Sequence, residues 1–394
     1  MIINESVFTD PERSEGWEPG LGSSYDYEVS GVYGKNVNQE VPVVQLGVGT
    51  VGRELIKKVG RWNSSGTAGP KYSYAGFVDK SGFAQNQAGF SRKELETIVE
   101  KKSTGAGLEE IFSEKLKDVE SLPSLMTNID KGILVDVTDT GKFESLYRTA
   151  LDKGWSVVLA NKIPLTRIKP GEFRRLKNSG LRYETTVGAG LPVISTLDHL
   201  NRHGEEFKEI AAILSGSLSF ILSRVEAGGQ LSKAVLEAKE KGFTEPNPAE
   251  DLLGKDVARK TVILGRSLGL DLSLDDIKLE PLVPLEQQDP SAEELTANLK
   301  EANAAFREKV ESAKGRDKRL RYLARITGEG VTVGLEEVDR DGPLAQGDST
   351  ANVVLFRTRN YDNPPLIVQG PGAGPEVTAG GVFSDIKQSR ASFN

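Results

Sequence analysis

The run Gly47-Val48-Gly49-Thr50-Val51-Gly52 constrains the fold more than any other part of this chain. It follows a short β-rich run, VPVVQL at 41–46, and opens a segment with Val51, Leu55, Ile56 and Val59 at helical spacing. The first glycine permits a tight turn. The second lets the backbone approach a pyrophosphate, and the third lets helix and strand pack closely. The helix N-terminus favours the anion, so GxGxxG in this context reads as a dinucleotide-binding loop. Asp79 closes a second strand, YAGFVD at 74–79, where a carboxylate can bind the ribose hydroxyls of NAD. Lys80 stands beside it and suits a 2′-phosphate, so this pair leaves NAD and NADP both open.

The alternation continues downstream. GILVDVT (132–138) and SVVLAN (156–161) read as buried strands, with LYRTALDKG as the helix between them, and RYETTV (182–187) follows as another strand. Buried strands alternating with helices predict a Rossmann-type, doubly wound parallel sheet with helices on its faces. After Val187 the pattern becomes α+β. Residues 205–217 read as a strand and turn, followed by helices near 219–227, 231–241 and 251–268. A long amphipathic helix is expected over 292–325, with Leu295, Leu299, Phe306 and Val310 on one stripe. Residues 324–338 read as a hairpin around Gly328–Gly330, and 352–370 as two more strands. The expected organisation is α/β. It comprises an extension at 1–40, a nucleotide domain at 41–182, a second α+β domain at 183–345 and a return at 346–394 that completes the nucleotide domain.

Composition excludes several classes of function. Net charge is -7 and no long basic block exists, which argues against nucleic acid. No apolar run approaches the ~20 residues that span a bilayer, and the first residues lack the pattern of a secretory signal. The expected location is the cytoplasm. The chain has no cysteine, so disulfides, thiolate metal sites and acyl-cysteine chemistry are excluded. Its two histidines, His199 and His203, have a spacing that can hold zinc on a helix, but no HExxH glutamate or third ligand is evident.

Candidate chemistry gathers in five places. GFTEPNPAEDLLGKDVARK (242–260) sets Glu245, Glu250, Asp251 and Asp256 before an apolar helix that also carries Lys260. Asp256 and Lys260 are four apart and share a helix face, either as a solvated ion pair or as an acid and amine poised for proton transfer. Lys162 in ANK follows a buried strand, at the sheet edge where ligands bind in such folds. YETTVGAGLPVI (183–194) offers Glu184 and backbone carbonyls that could hold a hard cation. ILSGSLSFIL (213–222) sets the small hydroxyls Ser215, Ser217 and Ser219 between apolar flanks. The glycines of 370–374 suit either the nicotinamide end of a cofactor or a plain loop before a closing helix.

With these motifs in place, residues 41–394 resemble homoserine dehydrogenase. The resemblance rests on GVGTVG, VDVT (135–138), LANK (159–162), YETTVGAGLPVI, SGSLSFI (215–221), the 242–260 segment, NPPLIVQGPGAG (363–374) and the closing helix. It is similar to the short monofunctional form found in fungi, without an aspartokinase or a regulatory extension. The resemblance implies reversible NAD(P)-dependent reduction of L-aspartate 4-semialdehyde to L-homoserine, on the way to threonine, methionine and isoleucine. It implies Lys260 as proton donor and acceptor with Lys162 assisting, Glu245 and Asp256 on the substrate, and Asp251 in support. Cofactor contacts would come from Val48, Thr50, Val51, Thr138, Lys162 and Gly374. Sodium would sit at Glu184 and the carbonyls of Val187, Ala189 and Leu191. The second domain would form a homodimer. Ser217 departs from the Thr of many relatives, and Asp79-Lys80 matches no clear NADP pattern. A different Rossmann oxidoreductase would need another acid–base pair. An inactive cofactor sensor would not need Lys162 and Lys260, and aspartate-semialdehyde dehydrogenase needs the cysteine this chain lacks.

Overall fold

The computed structural model describes residues 40–112, 116–244, 247–283, 290–345 and 350–389. The extension expected at 1–40 lies outside them, apart from Glu40. Two sheets organise the rest. The first contains β1 (Glu40–Leu46), β2 (Lys71–Asp79), β3 (Gly82–Gln85), β4 (Leu116–Lys117), β5 (Ile133–Asp136), β6 (Ser156–Leu159) and β7 (Leu181–Arg182), in the order β4-β3-β2-β1-β5-β6-β7. The pairs from β2 through β1, β5 and β6 to β7 are parallel, and β3 and β4 add an antiparallel edge. β1 is followed by β2 on one side and abuts β5 on the other. The sheet therefore has a switch point at the C-terminal ends of β1 and β5, where open α/β sheets bind ligands.

Helices cover both faces of this sheet. α1 (Thr50–Ser64), α2 (Arg92–Ser103) and α3 (Leu108–Ile111) come first, then α4 (Leu122–Asn128), α5 (Glu144–Asp152), α6 (Ile163–Arg167) and α7 (Pro170–Asn178). α1 buries Leu55, Ile56 and Val59, three of the four residues that set its periodicity. The expected strand at 182–187 is shorter than its β-branched sequence suggests. β7 stops at Arg182 and a 3-10 turn spans Glu184–Thr186. The Glu184 N–H leaves the ladder to bond Asp385 Oδ2 at 2.9 Å, and the Thr186 N–H bonds Tyr183 O.

The second sheet contains β8 (Phe207–Ile213), β9 (Lys278–Leu279), β10 (Lys318–Thr327), β11 (Gly330–Asp339), β12 (Ala351–Thr358) and β13 (Leu366–Pro371), in the order β13-β12-β8-β10-β11-β9. It is antiparallel except at β11–β9. Its helices are α8 (Val193–Arg202), α9 (Gly216–Glu226), α10 (Leu231–Glu240), α11 (Ala249–Leu252), α12 (Lys255–Ser267) and α13 (Ala292–Gly315). α14 (Pro375–Ser389) closes the chain. Within 346–394, β12 and β13 belong to this second sheet, while α14 packs on α1 and β6 of the first.

Two helices differ from expectation. The 292–325 helix ends at Gly315, because Asp317 adopts φ +54 and β10 begins at Lys318. The stripe of Leu295, Leu299, Phe306 and Val310 is buried all the same. The 251–268 helix breaks at Gly254, which has φ +68 and lies under Tyr322, whose Oη would be 2.0 Å from an added Cβ. The break separates α11 from α12 and lets α12 start afresh at Lys255. One apolar cluster runs from Leu134 and Leu159 through Leu197 and Val262 to Ile326 and Phe356, joining the first sheet to the second through α8 and α12. A second, with Val43, Leu55, Phe77 and Phe383, fills the opposite face of the first sheet.

Candidate active site

A cleft of about 810 Å³ opens at the switch point. Val51 heads α1, Val137 and Thr138 follow β5, and Ala160 and Lys162 follow β6. Thr185, Thr186, Gly188 and Ala189 come from the turn after β7. Residues 250–260 supply Glu250, Asp251, Lys255, Asp256, Arg259 and Lys260, the segment before α14 supplies Gly372, Ala373 and Gly374, and the head of α14 supplies Pro375 and Thr378. The cleft thus gathers the nucleotide loop, the ANK lysine, the acidic helix and the second glycine cluster.

The glycine loop is built as its sequence requires. Gly47 has φ +94 and its N–H bonds Val78 O at 2.8 Å, which ties the turn to β2. An added Cβ at Gly52 would lie 2.4 Å from Gly47 O, so α1 and the turn touch only because residue 52 has no side chain. At Gly49 an added Cβ would meet nothing within 4 Å, which leaves open space at the head of α1. Buried Gln45 fixes the loop from below, its Nε2 donating to Gly47 O at 2.8 Å and Gly52 O at 3.2 Å. This polar residue in an apolar strand was the available signal for that support. Val48 is buried, and Val51 and Thr138 line the cleft. Open space before a helix N-terminus, flanked by close-packed glycines, fits a pyrophosphate.

A buried hydrogen-bond network sets the strand ends. Asp136 is fully buried and accepts from Thr138 N at 2.7 Å, from Asn161 Nδ2 at 3.2 Å and from the Tyr147 hydroxyl. Burial pushes its carboxyl up, against these donors. Asn161 also donates to Thr138 Oγ1 and Thr140 O and accepts from Ile163 N. The ends of β5 and β6 are therefore held together by one side chain, immediately before Lys162.

Asp256 is the node of the charged wall. Its Oδ2 lies 2.8 Å from Lys260 Nζ and its Oδ1 3.3 Å from Lys162 Nζ. Lys260 Nζ also donates to Leu214 O at 2.6 Å. An ammonium has three N–H donors. Among the described residues, two of those on Lys260 are held in place and one is left for a ligand oxygen. Burial in the cleft pushes the Asp256 carboxyl up, but the Lys260 and Lys162 ammonium groups overcome this and hold it well below the usual carboxylate range. The side chains are 12% exposed at Lys260, 34% at Lys162 and 42% at Asp256. The lysine is thus the sheltered member of the pair, which distinguishes it from a solvated surface bridge. Asp251 Oδ1 accepts from Ser217 Oγ at 2.7 Å, and Ser217 Oγ is 2.9 Å from Ser215 Oγ. Glu245 lies outside the described residues. Arg259, one turn along from Asp256, also lines the cleft and was missed, although its spacing could have revealed it.

The remaining candidates stand apart from the cleft lining, apart from Ala189. Glu184 accepts from Ile194 N at 2.8 Å and Ser195 N at 2.9 Å, so it caps the N-terminus of α8. Burial pushes its carboxyl up. Gly188 and Ala189 both take positive φ between Val187 and Leu191. Nearby Asp385, pushed up to about 7 by burial, accepts from Glu184 N. Asp79 ends β2 with both carboxylate oxygens engaged by Ser81, Lys102 and Leu108. His199 and His203 lie exposed at the end of α8, their rings tilted with centroids 4.1 Å apart. Among the described residues no group of three His, Cys, Asp or Glu is placed to hold a metal, and no helix is long and apolar enough to cross a membrane.

Comparison with known proteins places this geometry among relatives. A homoserine dehydrogenase family model matches residues 192–386. The homoserine dehydrogenase of Emericella nidulans is 39% identical over 274 residues, covering 65% of this chain and 74% of the relative. The bifunctional aspartokinase/homoserine dehydrogenase of Haemophilus influenzae is 42% identical over 260 residues, covering 64% of this chain and 32% of the relative. The chain thus spans about a third of the length of its bifunctional relatives. A hyperthermophilic archaeal homoserine dehydrogenase solved in complex with NADPH superposes with TM-score 0.70 at 27% identity, covering 90% of this chain and 99% of that one. A Candida auris protein of unknown function superposes with TM-score 0.78 at 27% identity, covering 89% and 98%.

Proposed function

The chain belongs to the homoserine dehydrogenase family, and on that premise we propose that it interconverts L-aspartate 4-semialdehyde and L-homoserine with NAD(P)(H). The observation that carries this reading is Lys260, sheltered in the cleft and clamped between Asp256 and Leu214 O. Gly47 to Gly52, Val51, Thr138, Lys162 and Gly374 would hold the dinucleotide, which when bound supplies or removes the hydride. The protein's own task is then one proton and orientation. In the reducing direction the free N–H of Lys260 donates to the aldehyde oxygen as it becomes an alcohol. In the oxidising direction Lys260 takes the hydroxyl proton. Asp256 keeps both lysines turned to one spot, so Lys162 adds a second donor for the developing oxyanion. Glu245 and Asp256 would bind the amino and hydroxyl ends of the zwitterionic substrate, with Glu245 suited to the ammonium group and Asp251 in support.

A monovalent cation, taken as sodium, belongs to the same reading. It would be held by Glu184 and the carbonyls of Val187, Ala189 and Leu191. The two left-handed residues between them favour such a site by bending the chain sharply there. A homodimer formed by the second sheet and a cytoplasmic location complete the reading. Activity with and without sodium, and mass in solution, are the direct readouts. The central test follows NADPH or NADH formation from homoserine at alkaline pH. Wild type should turn over, and Lys260→Ala should lose about 10²–10⁴ in kcat while keeping its fold and nucleotide affinity. Near-wild-type turnover by that variant would remove Lys260 from proton transfer.

A further inference from the structure

We propose that Lys102 sets the cofactor preference of this chain by neutralising Asp79, so that the adenosine end of the site takes the 2′-phosphate of NADP(H) in preference to the bare diol of NAD(H). The inference rests on the dinucleotide reading above.

Asp79 stands where a dinucleotide fold places its ribose-binding acid. It ends β2, next to Val78, whose carbonyl accepts the Gly47 N–H. An acid that selects NAD must have oxygens free for the two ribose hydroxyls, and an uncancelled charge that repels a 2′-phosphate. Asp79 has neither. Oδ1 accepts from Ser81 N at 2.8 Å and Ser81 Oγ at 2.6 Å. Oδ2 accepts from Lys102 Nζ at 2.5 Å and Leu108 N at 3.0 Å. A carboxylate has about four lone-pair sites, and the chain itself fills all four. The side chains of Asp79 and Lys102 are only 9% and 13% exposed, so their charges cancel with little screening by solvent. Arg53 of α1 donates to Lys102 O at 3.3 Å and brings a second cation to the same corner. Lys80, exposed at the end of β2, adds a third. Of the acids of the adjoining α3, Glu110 accepts from Gly107 N and Glu109 folds against Gly107.

The test measures equilibrium binding of NADPH and NADH to the full chain by titration calorimetry. Wild type should bind NADPH about tenfold or more tightly than NADH, the scale of one charged contact. Lys102→Met leaves Asp79 unpaired, so NADPH should weaken by about tenfold or more while NADH holds or tightens. The double variant K102M/D79N removes both charges, tolerates folding better, and should recover the NADPH preference. Equal weakening of both nucleotides by Lys102→Met would make Lys102 merely structural and overturn the proposal. So would a wild-type preference for NADH, or an NADH preference in the double variant. Failure of folded wild type to bind either nucleotide would overturn the dinucleotide reading together with it.

Discussion

Asp256 joins two distant parts of the chain through one carboxylate. Its two oxygens hold Lys260 and Lys162 from different parts of the chain, one on α12 and one after β6. From spacing alone, Asp256–Lys260 reads first as a solvated ion pair and only second as a catalytic pair, since i,i+4 pairs are common on exposed helices. What separates them is the burial of Lys260 and its second acceptor at Leu214, neither of which spacing can reveal. Asp79 carries the pH prediction. Burial pushes its carboxyl up, but Lys102 and Ser81 hold it below the ordinary value. An acid with a depressed folded value stabilises the fold above its unfolded value, about 3.9, and loses that contribution as pH falls through the lower folded value. Asp79→Asn should therefore lower the urea midpoint most near pH 7, with the difference from wild type shrinking towards pH 3. An unchanged difference across that range would assign the loss to geometry rather than charge.

Among the elements, the turn between β1 and α1 separates packing from binding in two neighbouring glycines. Gly52 has no room for a methyl, because Gly47 O and Gln45 Nε2 stand 2.4 and 2.7 Å from the position it would take. Gly49 has open space there. Gly52→Ala should lower stability by about 1–3 kcal/mol, the range of overpacking in a well-packed core, read as a fall in thermal midpoint. Gly49→Ala should leave stability within about 0.5 kcal/mol and instead weaken NADPH binding, because its methyl projects in front of the helix N-terminus. Nucleotide binding by Gly49→Ala equal to wild type would take this loop out of the phosphate site. The periodic elements were legible from residues: α1 from Val51, Leu55, Ile56 and Val59, and the α13 stripe from Leu295 to Val310. Their ends were less so. The Gly254 break depends on Tyr322 reaching across from β10, and the early stop of β7 depends on Asp385 of α14 taking the Glu184 N–H. Both partners are remote in sequence, so local propensity had no access to them.

At the scale of the whole molecule, the chain completes its first sheet last. α14 leaves the second sheet after β13 and lies against α1, with Phe383 edge-on to Trp62 at 5.7 Å and to Tyr72 at 5.8 Å. Gly381 lets it press on the turn after β7, where an added Cβ would meet Thr185 Cγ2 at 2.4 Å. The head of the same helix, Pro375 and Thr378, lines the cleft. Phe383→Ala should cost about 3–5 kcal/mol of stability, as for other buried aromatics. It should also weaken NADPH binding, measured by urea unfolding and calorimetric titration on one preparation. A loss of stability with nucleotide affinity intact would uncouple the helix from the site. By itself the sequence determined the class of fold, the glycine-rich turn after β1 and the family, and it marked Lys162 and Lys260 as candidates, because period-two and period-3.6 burial and glycine spacing are local properties of the chain. Only the tertiary structure decided which charges cancel. Lys102 lies 23 residues beyond Asp79, and Lys162 nearly a hundred before Asp256, and their pairing depends on how strands and helices converge at the switch point. Hydrogen bonds and ion pairs act over a few ångströms, and sequence separation does not encode that distance.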